Sequence, residues 1–228
     1  MLRQFYISVE NLLFPQYCVK CSVNISDNDI FICPVCIKQF SKSGLGNWVN
    51  ELTCNDQLDF AFSPFWFDEL LNQCIHRAKY NHSKRLLKSI ALSTKDILYP
   101  LLATYHIEAL IPVPLHHVKR RERGYNQSDI IAFGFSQFLK IPVDTKTLKR
   151  SRWTNSQTKL NTHERNENIK DAFQLKGELP FKRVAIIDDV LTTGSTTNEC
   201  ARILKQGGAE FVGAISLATP KMRLENQD

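Results

Sequence analysis

The sequence has no long apolar run, and we expect no secretory signal. None of its apolar stretches approaches the ~20 residues that a membrane-spanning helix needs. Apolar residues recur at helical spacing between Leu2 and Leu13, but Glu10 lies among them and no small-residue cleavage site follows. We therefore expect an amphipathic helix at the N-terminus rather than a signal peptide, and a cytoplasmic protein with no membrane insertion.

The chain has only a small excess of charge of one sign. Its formal net charge is +6 over 228 residues, which does not by itself indicate a nucleic-acid-binding protein. The basic residues are nevertheless clustered, and such clusters suit phosphates of a small ligand or of a nucleic acid, whereas ordinary solvated surfaces are the alternative. The clusters are Lys79, Lys84, Arg85 and Lys88; Lys119, Arg120, Arg121 and Arg123; and Lys146, Lys149, Arg150 and Arg152.

The cysteine pattern argues against a disulfide framework and predicts a metal site. Seven cysteines are an odd number, and we expect no secretory signal in this chain. Four of them form two Cys-x-x-Cys pairs, Cys18 with Cys21 and Cys33 with Cys36, separated by eleven residues. Two such pairs can complete a tetrahedral Zn(Cys)4 site with no open position, so we expect structural zinc. Free thiols or a redox pair are the alternative.

The order of predicted elements indicates an α/β fold. Hydrophobic periodicity predicts helices over 67–79, 84–98, 125–140 and 197–206, and apolar runs predict strands over 109–115, 184–187 and 210–219. Strands that alternate with helices indicate a parallel sheet flanked by helices. We divide the chain into a helix and zinc module at 1–55, the larger domain at 56–220 and a tail at 221–228.

The most informative stretch joins an apolar strand to an acidic pair and a hydroxyl-rich turn. Asp188 and Asp189 follow the strand at 184–187, at the end that opens onto the ligand crevice of parallel sheets. Two carboxylates there can accept hydrogen bonds from vicinal ribose hydroxyls. The following turn, Thr192, Thr193, Gly194, Ser195 and Thr196, offers N–H groups and hydroxyls to a phosphate, and its glycine permits close approach. The alternative is an ordinary capped helix with two solvated carboxylates.

This stretch resembles the phosphoribosyl-pyrophosphate (PRPP) signature of the type I phosphoribosyltransferases. With the cysteine pairs and three further stretches it resembles the ComF/GntX family over nearly the whole chain. The first further stretch runs from Pro112 to His116 and continues through Arg120 and 123–127. The other two are Lys79-Tyr80 and the set Arg152, Gln157, Leu160, Arg165, Asn168 and Phe173. The chain departs from some relatives at Cys54, which has no second cysteine nearby for an additional knuckle.

The resemblance implies a type I phosphoribosyltransferase-like sheet and a role for each matching residue. Asp188 and Asp189 would hold the ribose hydroxyls, residues 192–196 the 5′-phosphate, and Arg120 and Arg123 the pyrophosphate. Mg²⁺ would accompany PRPP, bound mainly by ligand and water oxygens. A polar loop over 152–168, which contains the predicted catalytic residues Gln157, Arg165 and Asn168, would close over the site.

Two classes of function follow from the resemblance. ComF members are associated with natural competence, so the chain would bind PRPP and act in DNA uptake with other competence proteins, handling single-stranded DNA. Trp153 in the polar loop could stack a base. The alternative is an active phosphoribosyltransferase with an unknown acceptor in nucleotide or sugar metabolism. Turnover does not follow from the ligand site, because fold and ligand site do not fix a reaction.

Overall fold

The computed structural model describes residues 16–25, 32–44, 46–80, 84–152 and 168–221. The predicted N-terminal helix and nearly all of the predicted tail lie outside these ranges, and so does the polar loop between 152 and 168. Across the part of the chain that is described, no helix combines the length and the apolar composition that crossing a bilayer would require.

Nine strands form three sheets in the described ranges. The strands are β1 (Gln16–Tyr17), β2 (Asn24–Ile25), β3 (Phe60–Phe62), β4 (Phe65–Trp66), β5 (Ala109–Pro112), β6 (Leu148–Arg150), β7 (Phe173–Leu175), β8 (Arg183–Val190) and β9 (Phe211–Thr219). The central sheet has the order β3-β9-β8-β5, with β4 also paired to β9, and all of these pairings are parallel.

Seven α-helices accompany the strands within the same ranges. They are α1 (Pro34–Ile37), α2 (Glu69–Tyr80), α3 (Lys84–Ser93), α4 (Lys95–Ala103), α5 (His117–Arg123), α6 (Gln127–Leu139) and α7 (Ser195–Gln206), and a 3-10 turn spans Val49–Glu51. The predicted helices at 67–79, 125–140 and 197–206 are confirmed to within two residues at each end.

Strand β8 is covered on both faces, which explains its uninterrupted apolar run. Val184 and Ile186 pack in one hydrophobic cluster with α7, whereas Ala185 and Ile187 pack in the other with α2, α3 and α6. All four side chains are buried. Successive strand residues point to opposite faces, so a strand with helices on both sides must be apolar at every position.

The cysteine module packs in the same hydrophobic cluster as α2, α3 and α6. Strands β1 and β2 pair antiparallel, and α1 follows them. Cys18, Cys36 and Phe40 belong to the same buried cluster as Leu71 of α2. The ring of Phe40 meets that of Phe65 edge-on, with centroids 5.3 Å apart. The module is thus joined to the larger domain through apolar contacts.

Two predicted elements differ from the structure. The single helix expected over 84–98 is two helices, α3 and α4, separated at Thr94. The Thr94 hydroxyl donates to the Ala91 carbonyl, and the Thr94 carbonyl accepts from Ile97 and Leu98, so the chain starts a new helix there. The strand expected over 109–115, with Pro112 and Pro114 marking its exit, ends at the first of these prolines, three residues earlier than its predicted bound. Neither proline has an N–H to donate to the sheet.

An antiparallel ribbon frames the polar loop. Strand β6 pairs with β7 in the register Leu148 with Leu175 and Arg150 with Phe173. The loop predicted over 152–168 therefore starts and ends beside this ribbon. Periodicity did not indicate β6 or β7, because each strand is only three residues long.

Helices α3 and α6 cross at a glycine. A Cβ atom on Gly134 would lie 2.7 Å from the Cβ of Ala91. We expect Gly134→Leu to lower the free energy of unfolding by about 1–3 kcal/mol, because overpacking a close helix crossing forces the two backbones apart. Urea denaturation measures this, with Gln137→Leu, an exposed position one turn later, as the control. Equal free energies of unfolding in the two variants would contradict the close approach of α3 and α6 at Gly134.

Candidate functional site

The acidic pair lies at the carboxyl end of β8, as the sequence predicts. Asp188 is paired in register with Ser216 of β9, and the strand continues past Asp189 to Val190. Both carboxylates are partly buried. Because β5 and β9 run parallel to β8, the loops that follow all three strands meet at this edge.

A small polar pocket of about 140 Å³ lies beside the carboxylates. It is formed by the end of β5, helix α5, the first turns of α6 and α7, and the end of β6. The lining residues are Val113, Leu115, Lys119, Arg123, Gln127, Ser128, Arg150, Asp188, Asp189 and Thr196. Three cationic side chains and two carboxylates therefore surround one space.

The structure brings together some of the predicted site residues. Arg123, Asp188, Asp189 and Thr196 line the pocket. Arg120 does not line it: its side chain is 62% exposed and forms an ion pair with Asp129 at 3.5 Å. The segment after β5 contains helix α5, which His116 caps by accepting from the Val118 N–H.

The predicted catalytic loop contributes little to the described site. Gln157 and Arg165 lie outside the described residues, as does Trp153. Asn168 is described, and its carbonyl accepts a hydrogen bond from Arg152 at 3.1 Å. Arg152 also donates to the Lys170 carbonyl at 2.6 Å, so it closes the base of the loop. Neither Asn168 nor Arg152 is among the residues that line the pocket.

The Asp188 carboxylate is held in one orientation. Its Oδ1 accepts from the Ser128 hydroxyl at 3.1 Å and from the Asp189 N–H at 2.9 Å. Ser128 lies in the first turn of α6, so that helix orients the carboxylate directly. Sequence reasoning did not identify Ser128, although it directly follows the Asn126-Gln127 motif.

Asn126 connects this helix to the end of β5. Its side-chain oxygen accepts from the Ser128 N–H, and its amide nitrogen donates to the Val113 carbonyl at 3.0 Å and to Asp129 at 2.7 Å. Burial raises the pKa of Asp129, although Arg120 and Asn126 act in the opposite direction. The pocket wall between β5 and α6 is thus fixed by hydrogen bonds on both sides.

Arg150 lines the pocket, although the sequence analysis identified it only as one member of a basic cluster. Burial lowers its pKa, while the Cys200 thiol and the Asp188 carboxylate act to raise it. Its guanidinium carbon lies 5.3 Å from the centre of the Phe173 ring on β7. An arginine stays charged despite such a shift, so the pocket contains a partly buried cation beside Asp188.

The turn over 192–196 ends in the first turn of α7. Gly194 is the residue before the helix, with a φ of 84°, and its carbonyl accepts from the Thr197 hydroxyl at 3.0 Å and from the Asn198 N–H at 2.7 Å. The hydroxyls of Thr193 and Ser195 are 2.8 Å apart. The Ser195 N–H donates to the Thr193 hydroxyl at 3.4 Å. The turn lies at the start of α7, where the helix dipole favours an anion.

A segment well before the turn in the sequence supports it. The Thr193 carbonyl accepts from the Cys54 N–H at 3.0 Å and from the Thr53 hydroxyl at 3.2 Å. A Cβ atom on Gly194 would lie 2.4 Å from the Cys54 carbonyl oxygen. We expected the glycine to admit a ligand, whereas in the structure its open side is filled by the protein's own backbone.

Ser195 faces a second polar pocket rather than the first. This pocket, of about 290 Å³, is also lined by Thr53, Cys54 and Asp56. The Ser195 hydroxyl donates to the Cys54 sulfur at 3.4 Å. The contacts of Thr53 and Cys54 lie close to the domain boundary placed at residue 55, which stays a prediction.

The four paired cysteines converge on one point. Their sulfur atoms all lie within 4.8 Å of one another, and those of Cys21 and Cys33 are 3.7 Å apart. Sulfurs bound at 2.3 Å to a tetrahedral Zn²⁺ are about 3.8 Å apart, so the arrangement fits that ion. The Cys33 N–H also donates to the Cys18 sulfur at 3.4 Å.

The surroundings of this cluster lower the pKa of Cys18 and raise that of Cys36. Burial acts to raise the pKa of Cys18, but the backbone N–H groups of Cys21, Cys33 and Lys20 outweigh it and lower that pKa to about 6. Burial and the neighbouring thiols raise the pKa of Cys36 to about 12. Thiolates crowded in this way repel one another, and a bound divalent cation relieves that repulsion.

Comparison with protein families gives a match at the second half of the chain. The family model described as "Phosphoribosyl transferase domain" matches residues 133–228. This range contains β8 with its acidic pair, α7 and β9. Together with the parallel sheet flanked by helices, the match confirms the predicted type I phosphoribosyltransferase-like α/β fold.

Two curated relatives carry names that refer to competence or DNA. Haemophilus influenzae "Competence protein F" is 34% identical over 193 residues, which cover 82% of this chain and 77% of the relative. Escherichia coli "DNA utilization protein YhgH" is 31% identical over 145 residues, which cover 62% of this chain. That alignment spans 64% of the relative, slightly less than two thirds of its length.

Solved structures resemble the chain more distantly. A purine phosphoribosyltransferase from Pyrococcus horikoshii is 20% identical, with a TM-score of 0.38, over 61% of this chain and 78% of that one.

The support of the turn by Cys54 predicts a large effect at Gly194. We expect Gly194→Ala to lower the free energy of unfolding by at least about 1–2 kcal/mol, because a side chain at positive φ is strained and the new Cβ meets the Cys54 carbonyl. Urea denaturation measures this. Gly46→Ala is the matched control, since nothing lies within 4 Å of a Cβ there. Equal stability of both variants would refute the close contact.

The sulfur cluster predicts bound zinc. We expect about one zinc ion per chain by mass spectrometry of the purified protein. Replacement of both Cys18 and Cys33 by Ser should remove the zinc and lower the melting temperature, because two thiolates cannot retain the ion. Cys200→Ala is the control, since Cys200 is buried in α7 and absent from the cluster. A full zinc content in the double variant would contradict the assignment.

Proposed function

This chain belongs to the ComF/GntX family, and we propose that it acts in the uptake of DNA during natural transformation, with PRPP or a related phosphoribosyl ligand bound to its phosphoribosyltransferase-like domain. The names of the relatives, "Competence protein F" and "DNA utilization protein YhgH", support the first part. The alternative of a metabolic transferase is not favoured, because neither of these names refers to metabolism.

One observation carries the ligand proposal. Asp188 and Asp189 share a pocket with Lys119, Arg123 and Arg150 at the carboxyl ends of parallel strands. A phosphoribosyl ligand needs carboxylates for its ribose hydroxyls and cations for its phosphates, and here both occur within one small space. A capped helix with two solvated acids would require neither the cations nor the pocket.

Each part of the ligand has a proposed binding residue. Asp188 and Asp189 accept from the ribose hydroxyls, and the turn over 192–196 binds the 5′-phosphate at the start of α7. Arg123 binds the pyrophosphate, while Arg120, on the same helix but outside the pocket lining, adds to the positive potential of α5. Mg²⁺, held mainly by ligand and water oxygens, would supply further positive charge to the pyrophosphate.

Catalysis, if the protein turns its ligand over, would consist mainly of positioning. Substitution at ribose C1 passes through an oxocarbenium-like state, and the chain's role is to orient the ribose and to neutralise the departing pyrophosphate. No side chain needs to act as a covalent nucleophile. Gln157, Arg165 and Asn168 would belong to a loop that closes and excludes water.

We assign zinc a structural role. A site of four thiolates leaves no coordination position for a substrate, and the surrounding module is packed on α2 through apolar contacts. The ion would hold the two cysteine pairs together and so preserve that contact.

Single-stranded DNA is the proposed macromolecular partner. Arg121 on α5 and Lys149 on β6 are exposed and lie on elements that also line the pocket through Lys119, Arg123 and Arg150. Exposed cations beside a phosphate-binding pocket can contact further phosphates of a nucleic acid. Other competence proteins would be the protein partners in this process.

Titration calorimetry tests the ligand proposal. We expect PRPP with Mg²⁺ to bind the protein and the Asp188→Asn, Asp189→Asn double variant to lose at least about tenfold in affinity, since neutral amides are poorer acceptors for the ribose hydroxyls. Glu210→Gln, an exposed acid paired with Lys182, is the control. If PRPP with Mg²⁺ does not bind to the folded, zinc-containing protein, the ligand proposal is wrong.

Salt dependence tests the DNA proposal. We expect affinity for single-stranded DNA to fall steeply with salt, by about 0.7 log units per log unit of salt for each phosphate contact. Replacement of Arg121 and Lys149 by Gln should reduce that slope, whereas Lys95→Gln at the start of α4 should leave it unchanged. A slope that is the same in all three proteins would exclude Arg121 and Lys149 from the DNA contact.

A further inference from the structure

The side-chain amide nitrogen of Gln127 is a buried donor beside the pocket and has no acceptor among the described residues. It is the first residue of α6, its side chain lines the pocket with the carboxylates, and only 2% of the residue is exposed. Among the residues that the structure describes, its Nε2, which is itself buried, has no hydrogen-bond partner. A buried donor without an acceptor costs free energy, so this side chain needs a partner from elsewhere.

The orientation of the Gln127 amide is fixed by Arg123. The Gln127 Oε1 accepts from Arg123 Nη1 at 3.2 Å. A guanidinium has only donors, so the oxygen of the amide must face it and the nitrogen must face the other way. Exchange of the two amide atoms would place a donor against a donor. The side chain therefore offers N–H groups, not an oxygen, to whatever binds beside it.

The surrounding charges select an anionic partner. Lys119, Arg123 and Arg150 line the same pocket, and they attract a group that carries negative oxygens. Of the two carboxylates, Asp188 already accepts from Ser128 and from the Asp189 N–H. An oxygen of the ligand is the acceptor that satisfies both the Gln127 amide and the nearby cations.

We propose that Gln127 binds a pyrophosphate oxygen of the ligand through its Nε2, and that it is not a ligand of the metal ion. This inference rests on the proposed function and refines it, because it assigns the α6 side of the pocket to the diphosphate group. A metal ligand would need the Oε1 atom, which Arg123 occupies. A nucleoside or sugar without a diphosphate would leave the donor unsatisfied, so Gln127 selects ligands that carry one.

The test compares ligands with and without the diphosphate. Calorimetry with PRPP, inorganic pyrophosphate and ribose 5-phosphate, each with Mg²⁺, is run on Gln127→Met, which removes both donors at similar volume. We expect PRPP and pyrophosphate to bind at least about tenfold more weakly, and ribose 5-phosphate to bind as it does to the unmodified protein. Gln137→Met, on the exposed side of the same helix, is the control and should bind all three ligands normally.

Gln127→Glu separates a donor from a metal ligand. It keeps an oxygen for Arg123, so the fold is preserved, but it presents a carboxylate to the pyrophosphate. We expect a greater loss than with Met, with a weaker and not a stronger response to Mg²⁺. Tighter binding that depends more steeply on Mg²⁺ would overturn the proposal in favour of metal coordination.

Three other outcomes also overturn it. Normal PRPP affinity in Gln127→Met would show that the donor is not used. An equal loss for ribose 5-phosphate would mean that Gln127 supports the fold of the pocket instead of contacting the diphosphate. If the unmodified protein binds none of the three ligands, the proposed function itself fails, which is distinct from a failure confined to the variants.

Discussion

The pairing of β8 between β5 and β9 is the constraint on which the rest of the structure depends. Three parallel strands, buried on both faces, must all end at one edge of the sheet. Asp188 and Asp189 are attached to the middle strand, so their position is determined by the hydrophobic core and not by a flexible loop. Burial of this strand is favourable because the side chains on both of its faces are apolar.

Two helix starts meet at the same edge because each follows one of these strands. Helix α6 follows β5 after α5 and contributes Gln127 and Ser128, while α7 follows β8 and contributes Thr196. The pocket is therefore polar although it adjoins two apolar clusters: it is lined by the first turns of helices, where N–H groups and capping side chains are concentrated. Residues from Leu52 to Cys54 then support the turn over 192–196 through contacts with Thr193 and Gly194.

Features set by local sequence could be predicted, and features set by distant contacts could not. The strand before Asp188 and the paired cysteines follow from periodicity and spacing alone. The contact of Cys54 with Gly194 joins segments 140 residues apart, and the sequence has no pattern that links them. Arg150 was visible only as one of several basic residues, because its burial beside Asp188 depends on how β6 pairs with β7. Helix α5 was missed since its seven residues are mostly charged and have no apolar stripe.

A crystal structure of the protein with PRPP and Mg²⁺ would test the central claim most directly. The account predicts the ribose hydroxyls at Asp188 and Asp189, the 5′-phosphate on the turn over 192–196, and the pyrophosphate beside Arg123. It would be contradicted by a ligand bound elsewhere, or by an empty pocket at a PRPP concentration that saturates a known phosphoribosyltransferase crystallised under the same conditions.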